Sequence, residues 1–181
     1  YESDSADSLA SCCRLRNELA DNTFSYTLGA GGVSTGSYQV ITINFNRMYQ
    51  RGYELSEVVQ RVQKYLLAFR SIVDEYIKAG LLPTYSAGYI SLDKQFGTIG
   101  INGALEAYEY MKANGYQNTF KESLQQDLSI IKALNKEALA KYGVRFNTEF
   151  VPAENLGVKT AKWDKEDGLY VPRDGYNSYF Y

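Results

Sequence analysis

Cysteine is where chemistry starts in this chain. In "SLASCCRLRNEL", residues 8–19, Cys12 and Cys13 stand side by side and Arg14 follows. The 181 residues hold no other cysteine and no histidine. Without histidine, Ser–His and Cys–His nucleophilic catalysis would need a base from another chain. A four-ligand zinc site of cysteine and histidine is excluded for the same reason. A disulfide between neighbours closes a strained ring and no useful loop, so no disulfide scaffold is expected. A reducing cytoplasm is the expected compartment. Three readings of the pair remain: a reactive thiol, a vicinal dithiol that changes redox state, or two buried apolar residues. A second group lies in "VRFNTEFV", residues 144–151. On a strand, Asn147 and Glu149 share one side, opposite Phe146, Thr148 and Phe150. Two glycine- or proline-bearing stretches, "GTIGING" at 97–103 and "FVPAEN" at 150–155, offer free backbone N–H groups at a helix start, which suits phosphate. Ordinary helix starts are the alternative reading of both.

These groups need a scaffold, and the chain is long enough for one domain with a sizeable core. Its formal net charge of −2 gives no broad basic face for nucleic acid. The 17 tyrosines are scattered among ordinary apolar residues. No apolar run approaches the roughly 18 residues of a membrane span. "YESDSADSLAS" is polar and acidic, unlike a secretory leader, and begins without methionine. The expectation is a piece of a longer protein.

Residues 1–8 read as polar linker, and "LGAGGVSTGS" as a flexible glycine-rich segment. "YQVITINF", residues 38–45, predicts a buried strand. From Glu54 to Lys78 the residues Val58, Val62, Leu66, Phe69, Val73 and Ile77 fall on one helical face, with Ser56 as cap and Gly80 and Pro83 as terminators. "AGYISL" is a candidate short strand. "FGTIGINGALEAYEYMKANG" predicts a turn entering a helix that stops at Gly115. "NTFKESLQQDLSIIKALNKEALAKYG" predicts a long helix capped near Asn118 or Thr119 and closed by Gly143. "VRFNTEFV" predicts a strand and "PAENLGVKTAKW" a helix with proline in its first turn. From Asp164 onward the reading is a polar, tyrosine-rich tail. The order implies an α/β fold of parallel strands joined by helical crossovers, with too few strands for a closed structure.

Several stretches carry a family resemblance in chain order: "SCCRLRNEL…GAGGVSTGSYQVITINFNR", "TIGINGALEA" and "NTEFVPAENLGVKTAKWD…YNSYFY". Over nearly all its length the chain resembles the core of the anaerobic (class III) ribonucleoside-triphosphate reductases, which are glycyl radical enzymes. The resemblance implies about half of a ten-stranded α/β barrel with a cysteine-bearing finger loop through its centre. Residues 1–36 would be linker and finger loop, and 37–181 the second half-barrel. The family's loop reads cysteine then arginine, which assigns the thiyl radical to Cys13, with Cys12 as runner-up. That radical abstracts the ribose 3′ hydrogen, the 2′ hydroxyl leaves as water, and a 2′-deoxynucleotide results. Glu149 would be general acid or base if its face looks into the barrel. Asn147, Gly100 and Asn102 would contact substrate. The turn Pro152, Ala153, Glu154, Asn155 matches the family's Thr-Pro-Ala-Glu-Ser pattern and would hold substrate phosphate. Val151 and Asn155 replace the threonine and serine, which removes the hydroxyl contacts and leaves the backbone ones.

The resemblance also implies parts that this sequence lacks. No "RVxGY"-like glycine radical motif is present, since "RDGYNSY" is a poor match. The four-cysteine zinc site and the ATP-cone for allosteric ATP or dNTP are missing too. The expectation is a segment with no cofactor of its own and no activity alone. Its intact enzyme, a homodimer, would use a glycyl radical installed by a radical SAM activase bearing a 4Fe–4S cluster. The expected partners are a ribonucleoside triphosphate, the rest of the chain, that activase, and formate or a glutaredoxin- or thioredoxin-like reductant. The doubled cysteine and Glu149 favour the thiol reductant. Two alternatives stand beside this reading: a non-catalytic vicinal-dithiol module on the same fold, and a related glycyl radical enzyme with another substrate.

Overall fold

Three parallel strands organise the chain. The computed structural model describes residues 36–150 and 154–171. In chain order they form β1 (Gly36–Asn44), α1 (Phe45–Gln50), α2 (Leu55–Lys78), α3 (Pro83–Ser86), β2 (Gln95–Asn102), α4 (Ala104–Ala113), α5 (Phe120–Tyr142), β3 (Phe146–Phe150) and α6 (Glu154–Glu166). The sheet order is β1-β2-β3 with both pairings parallel. Parallel neighbours need long crossovers. The helix α2 supplies one, between β1 and β2, and α4 with α5 supplies the next. This is the expected α/β arrangement of parallel strands and helical crossovers. Cys12, Cys13, Pro152 and Ala153 lie outside the described residues.

Helix limits follow local chemistry. Along α2, Leu55, Val59, Val62 and Leu66 are buried, at the three- and four-residue spacing of one helical face. Its N-cap is Glu54 and makes no side-chain cap bond, while Ser56 sits inside the first turn and not at the cap. The end is a Schellman turn. Gly80, at φ +72°, bonds Ile77 O at 3.0 Å, and Leu81 N bonds Tyr76 O at 2.9 Å. The helix α5 opens on Thr119, whose side chain accepts from Glu122 N while Glu122 caps Thr119 in return. Those hydrogen bonds hold the Glu122 carboxyl below its ordinary value. Gly143, at φ +65°, closes α5 as expected.

The second strand is where the sequence misled. "AGYISL" is not a strand, and "GTIGING" is not a turn: Gln95–Asn102 is the central strand, and only Gly103 turns the chain into α4. Gly97 and Gly100 look like punctuation, but Thr98, Ile99 and Ile101 between them are β-branched and suit a pleated surface. Gly97 is needed for space. A Cβ there would lie 2.5 Å from the Tyr38 hydroxyl oxygen and 2.9 Å from the Phe146 ring. A glycine inside a strand marks such a close approach. The phosphate site expected over 97–103 thus loses its loop.

Register gives the sheet two unlike faces. Ile43, Ile99, Ile101 and Phe146 are buried in one cluster with Val59 and Leu66 of α2 and Ile131 of α5, while Ile41 packs against it. On the opposite face Thr42, Asn44, Thr98, Gly100, Asn102, Asn147 and Glu149 alternate with them. Replacing Gly97 by alanine should force Tyr38 and Phe146 off their positions. Overpacking of this kind destabilises by about 1–3 kcal/mol. The urea midpoint of Gly97→Ala against the parent chain measures it.

Candidate active-site face

The polar face is built by pairing. Asn147 lies beside Thr98, Glu149 beside Gly100, Thr42 beside Gly100, and Asn44 beside Asn102. The Thr98 hydroxyl donates to Asn147 Oδ1 at 2.6 Å and is also hydrogen-bonded to the Ser37 hydroxyl. Thr148 points the other way, where its hydroxyl accepts from Asn135 of α5 at 3.3 Å. The expectation that Asn147 and Glu149 oppose Phe146, Thr148 and Phe150 therefore holds. Among the described residues, Asn147 Nδ2 and Glu149 Oε1 are both buried without a hydrogen-bond partner. Burial pushes the Glu149 carboxyl up from its ordinary value. A donor and an acceptor thus stand two residues apart on one face, and the acceptor is an acid made easier to protonate.

A second polar cluster closes the C-terminal ends of the strands. Asp164 is fully buried on α6. Its Oδ1 accepts from Arg47 Nε at 2.6 Å, and its Oδ2 accepts from Asn44 Nδ2 at 2.9 Å and Asn46 Nδ2 at 3.3 Å. Arg47 also pairs with Asp167 at 2.7 Å. One turn earlier on α6, the Thr160 hydroxyl donates to Asn102 Oδ1 at 3.0 Å. The helix therefore runs from the end of β3, past the end of β2 at Thr160, to the end of β1 at Asp164. Gln50 and Asn46 continue the seam by bonding the backbone of Tyr170.

Of the residues expected at a site, the structure brings Asn147, Glu149 and Gly100 onto one face. Asn102 shares that face, but its side-chain oxygen is engaged by α6. Asn155 lies exposed in the first turn of α6, which Glu154 opens. The residues that sequence reasoning passed over are Thr98, Thr160 and above all Asp164. Asp164 is the buried anchor of α6 and not the start of a tail. Its signal was the i, i+4 pair Thr160–Asp164 on the helix face that also carries the buried Gly157 and Ala161.

Two clefts lie away from this face. One, of about 660 Å³, is lined by Arg70, Asp74, Tyr85 and Asp93. It sits near the start of β2, where Tyr85 bonds Gln95, at the end opposite Asn102. The other, of about 330 Å³, includes Tyr49, Tyr116 and Asp127. There the Tyr49 hydroxyl donates to Asp127 Oδ1 at 2.5 Å. Burial raises the Asp127 carboxyl, and the Tyr49 hydrogen bond opposes that rise in part. Among the described residues, no group of three histidine, cysteine or acidic side chains gathers to hold a metal ion, and no helix is long and apolar enough to cross a membrane.

A parallel sheet with crossover helices on one side and buried polar groups on the other matches part of the α/β barrel of glycyl radical enzymes. Within that class the chain belongs to the anaerobic ribonucleoside-triphosphate reductase family, whose model matches residues 1–181. It is similar to the anaerobic ribonucleotide reductase from Thermotoga maritima with dATP bound in the specificity site, at 34% identity and a TM-score of 0.65 over 72% of this chain and 25% of that one. The same enzyme in complex with dATP and CTP gives 34% identity and a TM-score of 0.65, over 72% of this chain and 25% of that one. With citrate in the active site it gives 33% and 0.66, over 73% of this chain and 27% of that one. The chain spans about a quarter of the length of these solved relatives. No curated protein matches it.

Two outcomes follow for stability. Removing the Asp164 carboxylate in Asp164→Ala should destabilise the chain by about 2–3 kcal/mol, because Arg47, Asn44 and Asn46 lose a buried acceptor; partial exposure of Arg47 keeps this below the cost of a fully buried pair. Chemical denaturation of the variant measures it. At Asp127 the sign is reversed. A carboxyl whose folded pKa lies above its unfolded value loses stability as pH rises from the unfolded pKa through the folded one. Asp127→Asn, which still accepts from Tyr49, should therefore raise the melting temperature at pH 7, by about 2–4 °C for each kcal/mol relieved, and leave it unchanged below about pH 3.5.

Proposed function

We propose that this chain is the part of an anaerobic ribonucleoside-triphosphate reductase that carries the radical cysteine and one wall of the substrate site. The observation that supports this most is that Asn147 Nδ2 and Glu149 Oε1, buried on one sheet face, have no hydrogen-bond partner among the described residues. Leaving such groups unmatched is unfavourable by about 1–3 kcal/mol each, so the face fits a polar occupant. Vicinal ribose hydroxyls each donate and accept, and match a donor beside an acceptor. A similar reductase is described in complex with CTP, which agrees with a ribonucleotide as occupant.

In this reading the Cys13 thiyl takes the 3′ hydrogen, with Cys12 the alternative carrier. Glu149 then moves protons at the ribose hydroxyls while the 2′ hydroxyl departs as water. Two electrons and two protons from the reductant, one proton replacing the one that leaves in water, together with the returned 3′ hydrogen, complete the 2′-deoxyribose. The backbone N–H groups of Ala153, Glu154 and Asn155 would hold the triphosphate, with Pro152, which has no N–H, restricting the backbone before them. Asn147 and Gly100 border the ribose, and Asn102 steadies the site from beneath α6. The glycyl radical, the structural zinc and the allosteric ATP or dNTP site would belong to other parts of a homodimeric, cytoplasmic enzyme, and the 4Fe–4S radical SAM activase is a separate partner. Radical initiation is the chemistry that the glycyl radical supplies. The preferred reductant is a glutaredoxin- or thioredoxin-like dithiol, which becomes a disulfide, in place of formate.

Three measurements in the intact reductase test this. Glu149→Gln should bind nucleotide about normally and lose turnover by a factor on the order of 10²–10⁴, the usual contribution of a positioned proton carrier. An unchanged rate would remove Glu149 from the reaction. Cys13→Ser should still permit glycyl radical formation, seen by electron paramagnetic resonance, and yield no deoxynucleotide. Retained activity there, with loss in Cys12→Ser, would move the radical to Cys12. Activity with formate as the only reductant would overturn the preference for a dithiol.

A further inference from the structure

We infer that Thr98 is a positioning residue that presents the Asn147 carboxamide to substrate with its N–H₂ foremost. The inference rests on the reading of the Asn147–Glu149 face as the ribose wall. Thr98 is fully buried in the central strand. Its hydroxyl has one proton to give. Asn147 Oδ1 can only accept, so at 2.6 Å the Thr98 proton is directed there. The Thr98 oxygen then receives the proton of Ser37, its neighbour on β1. A one-way chain results, from β1 through β2 to β3, and it ends at the amide oxygen. The nitrogen of the same amide is left as a buried donor with no partner among the described residues.

The opposite orientation would turn Oδ1 outward beside Glu149 on the same face. Two acceptors, one of them ionisable, would then adjoin each other with no donor between them. With the nitrogen outward, a donor precedes an acceptor along β3. Gly100, paired with Glu149, carries no side chain that could compete for these groups. The amide orientation thus sets the hydrogen-bond polarity of the wall, and Thr98 sets the amide orientation. A ribose lacking the hydroxyl that accepts from Asn147 would bind less well for the same reason.

The test uses the intact reductase and a ribonucleoside triphosphate. Thr98→Val is near in shape and lacks the hydroxyl. It should raise KM and lower kcat/KM by about 5- to 10-fold, the effect of one hydrogen bond, with kcat per folded enzyme moved less. Thr98→Ser keeps the proton donor and should restore the parent KM. A variant that is merely less stable would lose active enzyme at unchanged KM, and a thermal melt in parallel reads that loss. Should Thr98→Val not fold, Asn147→Asp serves instead. It keeps an acceptor for Thr98 and removes the donor, so it should lose kcat/KM at least as strongly. Full activity of Asn147→Asp, or an unchanged KM in folded Thr98→Val, overturns the inference. If Asn147→Ala lowers kcat/KM while Thr98→Val does not, the ribose wall stands and the role of Thr98 falls. If Asn147→Ala is also silent, the wall itself is misassigned and the inference falls with it.

Discussion

A buried carboxylate cannot stand alone. Asp164 is fully enclosed, and Arg47, Asn44 and Asn46 converge on it to make its charge tolerable. Those three residues belong to four consecutive positions where β1 ends and α1 begins. Asn44 does two jobs there: its amide nitrogen reaches Asp164, and its oxygen caps α1 by accepting from Arg47 N at 3.1 Å. The same stretch thus stops a strand, starts a helix and holds α6 across the sheet. Satisfying one charge fixes the end of β1, the start of α1 and the path of α6 together.

The sheet itself divides its labour between faces. One face is an apolar layer against α2 and α5, and supplies the hydrophobic stabilisation that a small parallel sheet requires. The other is polar, yet Thr98, Gly100 and Asn102 on it are buried as well. Buried polar atoms are normally paired. Thr98 and Asn102 obey this rule through Ser37, Asn147 and Thr160, whereas Asn147 Nδ2 and Glu149 Oε1 do not. Among the described residues, these two exceptions on the polar face both stand on β3.

Much of this was legible in the sequence, and the failures have physical causes. Thr119 with Glu122, and Gly143 beyond the last helical residue, announce α5 because capping chemistry is local. Asn147 and Glu149 were read correctly because strand alternation is geometric. The second strand was missed because Gly97 and Gly100 resemble turn signals. Their reason lies in Tyr38 and Phe146, which approach from distant parts of the chain. Ser56 was chosen as a cap on residue type alone, but the backbone enters α2 at Glu54. Asp164 was lost in a supposed tail because its partners lie some 120 positions earlier. Charge burial is a tertiary property, and no local window contains it.

The placement of charge supports the proposed chemistry. The polar described side chains on the face that would meet the ribose are hydroxyls and amides, with Val40 beside Thr98 and Glu149 the one acid. Burial raises that acid above its ordinary value, which makes it easier to protonate. The strong ion pair, Asp164 with Arg47, is set under α6 and turned toward α1. A hydrogen-atom transfer at sulfur creates no ion, so a neutral wall does not oppose it. Loss of the 2′ hydroxyl as water does need a proton, and one titratable carboxyl with neutral neighbours can deliver it without a competing charge. Histidine is not needed for either step, which makes its absence from the chain consistent with a wall that binds through neutral hydrogen bonds and moves protons through a single group.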